Sequence, residues 1–214
     1  MLLNTILFSC TGIRQKEVAQ NSEKDTIVDH KIDSKTGADF DETELNKTIF
    51  KVIKAYQKKD EQTLNGLIYK DFGLAILFAR GAFNNVSITE KISFAAPVPE
   101  YLPYANSFET DYEITENLLP EFSCGTEKWN QPSGIYFDTK IRDKSLSETA
   151  KMENEILGDG HWSEQEIKRF EEIEKISHQV ISIGKNNETF IFYVGLIDGI
   201  WYLTAIDRFE VCSV

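Results

Sequence analysis

The chain has 214 residues, 41% of them hydrophobic and 12% aromatic, enough to bury one sizeable core and too few for two comfortable domains. Its 23 basic and 35 acidic residues leave a formal charge of -12, which repels nucleic-acid phosphates and anionic lipid headgroups, and no Lys/Arg cluster offsets it. After the first nine residues no apolar run approaches the roughly 18 residues needed to cross a bilayer.

The first element is a short apolar stretch, Leu2, Leu3, Ile6, Leu7 and Phe8, followed by Ser9 and Cys10. Leu7-Phe8-Ser9-Cys10 resembles the lipobox of bacterial lipoproteins, in which a leucine and a small residue precede the cysteine that is acylated once the leading peptide is removed. That resemblance implies a truncated signal segment at residues 1–9, lipid on Cys10, and the membrane as the partner reached through it. No Lys or Arg precedes Arg14, so the basic n-region of a full signal peptide is missing, and a start codon placed upstream would supply it. From Thr11 to Ala38 the residues are mostly polar and none is aromatic. Such a stretch cannot offset its own ordering entropy, so residues 10–39 are expected to form a flexible tether spanning on the order of 30 Å. Many surface-exported lipoproteins of Bacteroidota-like bacteria carry acidic residues directly after the cysteine. Thr11, Gly12, Ile13 and Arg14 depart from that pattern, which points to the periplasmic face of the outer membrane.

One domain is expected over residues 40–214. Asp41 can cap a helix in which Leu45, Ile49, Val52, Ile53 and Tyr56 recur on one face, and Asp60 opens a second, short helix through Leu64, Leu67 and Ile68. The compact run "LAILFAR", bounded by Gly73 and Gly81, predicts a buried strand, and "SITEKISF" alternates and can pair with it across "GAFNN". All five prolines fall between Pro97 and Gly134, which predicts loops and edge strands there. A helix is expected through "LSETAKMENEI". Another follows the capping box of Ser163 and Glu166, with Ile167, Phe170, Ile173 and Ile176 on one face. The last forty residues predict a meander: "HQVISIG", then "TFIFYVGLI", then the two-residue turn Asp198-Gly199, then "IWYLTAID".

Helices followed by an aromatic-rich meander predict an α+β fold with the helices on one face of a curved antiparallel sheet. That order is similar to the cone-shaped fold of the nuclear transport factor 2-like superfamily, and "FGLAILFARGAF" with "GIWYLTAIDRFEVCS" look like stretches of uncharacterised Bacteroidota lipoproteins. A cystatin-like or lipocalin-like sheet is the alternative, because the 97–152 insertion departs from the simple cone. The resemblance implies no catalytic residue.

Motifs that carry chemistry are sparse. His30, His161 and His178 lack zinc-ligand spacing, "DFDETE" at 39–44 lacks the glycine and terminal glutamate of a calcium loop, and "GDGHW" at 158–162 places Asp159 near His161 without a nucleophile. No GxSxG, Walker or GxGxxG motif occurs, and neither a metal nor a cofactor is expected. Aromatic residues are the remaining signal: Tyr69, Phe72, Trp129, Tyr136, Phe192, Tyr193, Trp201 and Tyr202 read chiefly as core, and among them Trp129, Tyr136, Tyr193 and Trp201 are the candidates for a modest apolar pocket or exposed patch. The function these features support is an envelope binding or interaction module that holds an apolar ligand or a partner protein, with no catalytic machinery. The alternative is a small cone-fold isomerase or hydrolase, which needs an Asp or His facing an apolar pocket beside a Tyr. With Cys10 assigned to lipid, Cys124 and Cys212 remain as a disulfide pair, permitted in an exported compartment.

Overall fold

Leu45, Ile49, Val52, Ile53 and Tyr56 line up on one side of helix α1, Glu42–Gln57, and each is at most 4% exposed. The computed structural model describes residues 42–80, 83–104, 112–141, 143–158, 160–185 and 188–208. The signal segment, the tether with His30, Asp159 and Cys212 lie outside the described residues. After α1 the chain reverses through Lys59, whose φ of 52° is left-handed, into helix α2, Glu61–Asn65, which Asp60 caps by accepting from the Thr63 N–H. Strand β1, Leu74–Arg80, pairs antiparallel with β2, Phe83–Thr89, in a register that sets Arg80 opposite Phe83. The second strand thus starts earlier than the alternation of "SITEKISF" suggests. Residues Phe83 to Asn85, expected in the loop, are strand because a two-residue connection closes the hairpin. Residues 91–94 then leave the sheet. Asn65 clasps Ile92, donating to its carbonyl at 3.1 Å and accepting from its N–H at 2.7 Å.

The proline-rich stretch holds four short strands: β3, Ile114–Glu116; β4, Phe122–Ser123; β5, Lys128–Trp129; and β6, Gly134–Phe137. Helices α3, Ser145–Leu157, and α4, Glu164–Ile176, follow, and the expected capping box is present, with Ser163 accepting from the Glu166 N–H at 3.2 Å. Ser177 caps α4 in an extended conformation, so strand β7, Ser177–Ile183, begins without a loop. Strands β8, Thr189–Ile197, and β9, Ile200–Asp207, complete the meander, joined by Asp198 and Gly199, both at positive φ as a tight primed turn requires.

The main sheet has seven strands in the order β2-β1-β9-β8-β7-β6-β3, and β4 with β5 forms a separate two-stranded ribbon. The α+β class stands, with two corrections to the expected layout. The sheet is mixed, since β1 runs parallel to β9 and β3 parallel to β6. Helices also cover both faces instead of one. Leu74, Ile76, Phe192, Val194, Leu203 and Ile206 pack into the layer of α1 and α2, while Ala75, Leu77, Ile191, Tyr193 and Ala205 pack with Phe170 and Ile173 of α4 and Ala150 of α3. Near-continuous apolar strands are the mark of a sheet buried on both sides, and "LAILFA" and "FIFYV" read that way.

Three contacts close the periphery. Buried Glu153 of α3 accepts from the Val86 N–H of edge strand β2 at 3.3 Å and from the Trp162 indole at 2.6 Å, so the open edge is partly answered by a side chain. Arg208, just past β9, donates to the carbonyls of Val98 and Leu102 and sets its guanidinium 4.1 Å above the Tyr104 ring, strapping segment 91–104 down. Gly195 lies where β7, β8 and β9 meet. A Cβ there would stand 3.0 Å from Thr204 and 3.1 Å from Ser177, whose hydroxyls bond each other at 2.8 Å.

Phe192 is fully buried and stacks on Phe190 at 4.8 Å. Phe192→Ala should lower unfolding free energy by about 3 to 5 kcal/mol in urea titrations, while Ile200→Ala, at a site 57% exposed, should stay within about 0.5 kcal/mol. Equal midpoints for the two variants would contradict a filled layer beneath α1.

Candidate functional site

Two places gather polar side chains: the solvent face of α1 and the joint between α3, α4 and the sheet. Burying Leu45, Ile49, Val52 and Ile53 turns Lys47, Lys51, Lys54 and Lys58 outward, and their spacing of four, three and four residues aligns them along one face. The stripe extends about 16 Å along the helix axis at 1.5 Å per residue. With half-buried Phe50, Ala55, Asp60 and Thr63 these lysines line a groove of about 510 Å3. Asp60 closes one end, its carboxyl held below the usual carboxylate range by hydrogen bonds from the Thr63 hydroxyl and N–H, the hydroxyl at 2.6 Å. Lys47 pairs with Glu44 at 2.7 Å, while Lys51 and Lys54 form no ion pair with any described residue. This stripe corrects the expectation that no basic cluster offsets the acidity. The signal that would have found the cluster is the lysine spacing read on the helix already predicted there.

Neighbouring lysines three and four apart repel, each pair costing about 0.2 to 0.5 kcal/mol of helix stability. A chain with 35 acidic residues could interleave the stripe with glutamates and does so only at its start. Lys54 in the last turn and Lys58 just beyond it sit where the helix dipole favours cations, so the repulsion is offset at that end of the stripe.

At the second place, Glu174 of α4, 7% exposed, accepts from the Ser147 N–H at 2.8 Å and the Ser147 hydroxyl at 2.7 Å, tying the last turn of α4 to the first of α3. Burial raises the Glu174 carboxyl above its ordinary value, and nearby Asp143 adds to the rise while the Ser147 bonds oppose it. The Tyr193 hydroxyl donates to Asp143 and accepts from Gln179 at 2.9 Å, and burial first, then Asp143 and Asp207, hold its phenol well above the usual value. Asp143 beside Tyr193 is half of what the cone-fold enzyme needs. The other half is an apolar pocket, and the cavity they share with Glu174, Ser177 and Thr204 is about 10 Å3, room for one water and not for a substrate. These bonds act as a joint between layers.

The four aromatic candidates do not share a surface. Tyr136, Tyr193 and Trp201 are 4%, 5% and 6% exposed. Tyr136 and Tyr193 lie on the α3–α4 face, with Trp129 packed against that cluster, whereas Trp201 lies on the α1 face. Tyr136 donates to the Pro132 carbonyl at 2.8 Å and Trp129 to the Thr189 hydroxyl at 3.0 Å. Of the other candidates, Tyr69 sets its ring at a tilt 5.2 Å from that of Tyr202, and Phe72 is buried against Phe170. His178 is buried beside Trp201, and His161 flanks Trp162 before the α4 cap. Among the described residues no group of three or more His, Cys, Asp or Glu could hold a metal ion, and no helix is long and apolar enough to cross a membrane. Cys124 occupies the turn between β4 and β5.

No protein-family model, curated protein or solved structure matches the chain.

Because the folded state holds the Glu174 proton more tightly than the unfolded chain, the advantage of the protonated form is complete below the unfolded pKa and is lost as pH rises towards the folded one. Glu174→Gln removes the charge while its amide oxygen can still accept from the Ser147 N–H and its amide nitrogen can donate to the Ser147 hydroxyl. Melting temperatures between about pH 4 and 7 should therefore fall for the parent relative to the variant as pH rises. Parallel curves would mean that the carboxyl titrates normally.

Proposed function

We propose that this protein is a binding module held at the bacterial cell envelope by lipid on Cys10, on the periplasmic face of the outer membrane, presenting the groove of α1 and α2 to a partner. The observation that carries the reading is the lysine stripe along the exposed face of α1, which lies on the large groove described above. The lipobox-like Leu7-Phe8-Ser9-Cys10 and the polar stretch after it support the anchor. The buried positions of Tyr136, Tyr193 and Trp201 move the reading away from an apolar ligand and towards a partner engaged on the surface. The finer fold assignment, a nuclear transport factor 2-like domain, draws its support from the α1–α2 pair preceding the β7–β8–β9 meander.

The pairing of Cys124 with Cys212 belongs to the same reading. β9 runs towards the ribbon that carries Cys124: Asp207 pairs with Ile191, two residues from Thr189, which receives the Trp129 indole hydrogen bond, and Trp129 pairs with Phe122. A bridge closing a loop of nearly ninety residues stabilises by about 4 kcal/mol on the chain-entropy model. Titration of the unfolded, non-reduced Cys10→Ser chain should find no thiol. Two reactive thiols would remove the bridge from the account.

The experiment for the function as a whole uses the full chain in a diderm bacterial host. The parent should fractionate with membranes and Cys10→Ser with the soluble periplasm. A photocrosslinking residue at position 51 should capture an envelope component that the same residue at position 152, on the solvent side of α3, does not. Identical fractionation of the two chains would count against the anchor, and capture equal at both positions, or at neither, against the groove.

A further inference from the structure

Accepting the groove as the binding surface, we infer that its occupant is an extended acidic peptide segment of a partner protein, with carboxylates facing the lysines and one apolar side chain seated against Phe50 and Ala55. Charge complementarity is the first argument. In a chain of net charge -12, Lys51, Lys54 and Lys58 form a local field of opposite sign along one wall of a concave surface. A segment drawn to that field is repelled by the remainder of the molecule, so it is confined to the groove.

Length and floor chemistry define the segment. The stripe of about 16 Å matches roughly five residues of extended chain at about 3.3 Å each, so the side chains at the first, third and fifth positions share the face turned to the groove, carboxylates at the ends and the apolar one in the middle. Phe50 is apolar and half-buried in the middle of the stripe, which gives the peptide a place to bury one side chain between its charges. Asp60 bounds the far end. Its carboxylate is fixed in the α2 cap by Thr63, stays ionised, and turns further negative charge away.

Other polyanions fit less well. An anionic bilayer meets the net charge of -12, which opposes its approach. Lysine takes carboxylate and phosphate alike, but a phosphate chain has no apolar group to set against Phe50 and Ala55, which a peptide has.

The test measures fluorescence anisotropy of a labelled glutamate peptide with one central phenylalanine against the full chain at low salt. Saturable binding is expected, weakening by about tenfold as salt rises to about 0.3 M and lost by a similar factor in Lys51→Glu/Lys54→Glu. Lys51→Gln/Lys54→Gln should fall between the two, and an unchanged melting temperature shows that both variants fold. Replacing the phenylalanine with alanine should weaken binding, and a lysine peptide should not bind. Absence of saturable binding, indifference to charge reversal, or preference for phosphatidylglycerol vesicles or inorganic polyphosphate would each overturn the assignment. Capture at position 51 without peptide binding would overturn the acidic-peptide class and leave the binding module standing, whereas loss of both removes both.

Discussion

A strand that buries both of its faces has no solvent side on which a register slip could be tolerated, and β8 and β9 are strands of this kind. Their side chains alternate between the α1–α2 layer and the α3–α4 layer, with Val194 and Leu203 on one side and Ile191 and Ala205 on the other. A one-residue shift would exchange the two layers throughout. The rest of the architecture answers to this requirement. The register shift between Tyr193 and Val194 changes the pairing where Gly195 lets Ser177 and Thr204 meet, and Glu174 with Ser147 holds the two covering helices as a unit.

The same requirement shapes the outer surface. Because α1 gives its apolar side entirely to the sheet, its other side is available for charge, and there the chain places lysines against the trend of its composition. The interior has little space for a ligand among the sites described: Tyr56, Phe94, Tyr104, Phe190 and Phe192 fill the region under α1 ring against ring, and the Tyr193–Asp143 joint encloses about 10 Å3.

Helix α1, the Ser163 cap and the β7–β8–β9 meander were legible in the sequence because each is specified locally, by a period, a capping pair or a two-residue turn. The covering of the second face was not read, although "LAILFAR" and "TFIFYVGLI" are too continuously apolar for strands with one wet side. The parallel pairing of β1 with β9 has no local signature, since it joins segments more than a hundred residues apart. The aromatic candidates show the limit from the other direction. Residue type marks Trp129, Tyr136, Tyr193 and Trp201 equally, and only the strand register assigns Trp201 to the opposite face from Tyr193. For the groove the information was present as lysine spacing, hidden by a net charge that averages over the whole surface.

The place of β9 in the sheet also has a consequence for the order of synthesis. β1 is among the first strands made and β9 the last, yet they are neighbours, and Arg208 at the end of β9 ties down the 91–104 strap. The apolar side of α1 therefore has no complete surface to cover until nearly the whole chain has been made. Closure of the fold is a late event by topology, and until then an amphipathic helix waits with its inner side uncovered. For the export proposed with lipid on Cys10 this delay is an advantage, because a polypeptide that cannot close early stays threadable.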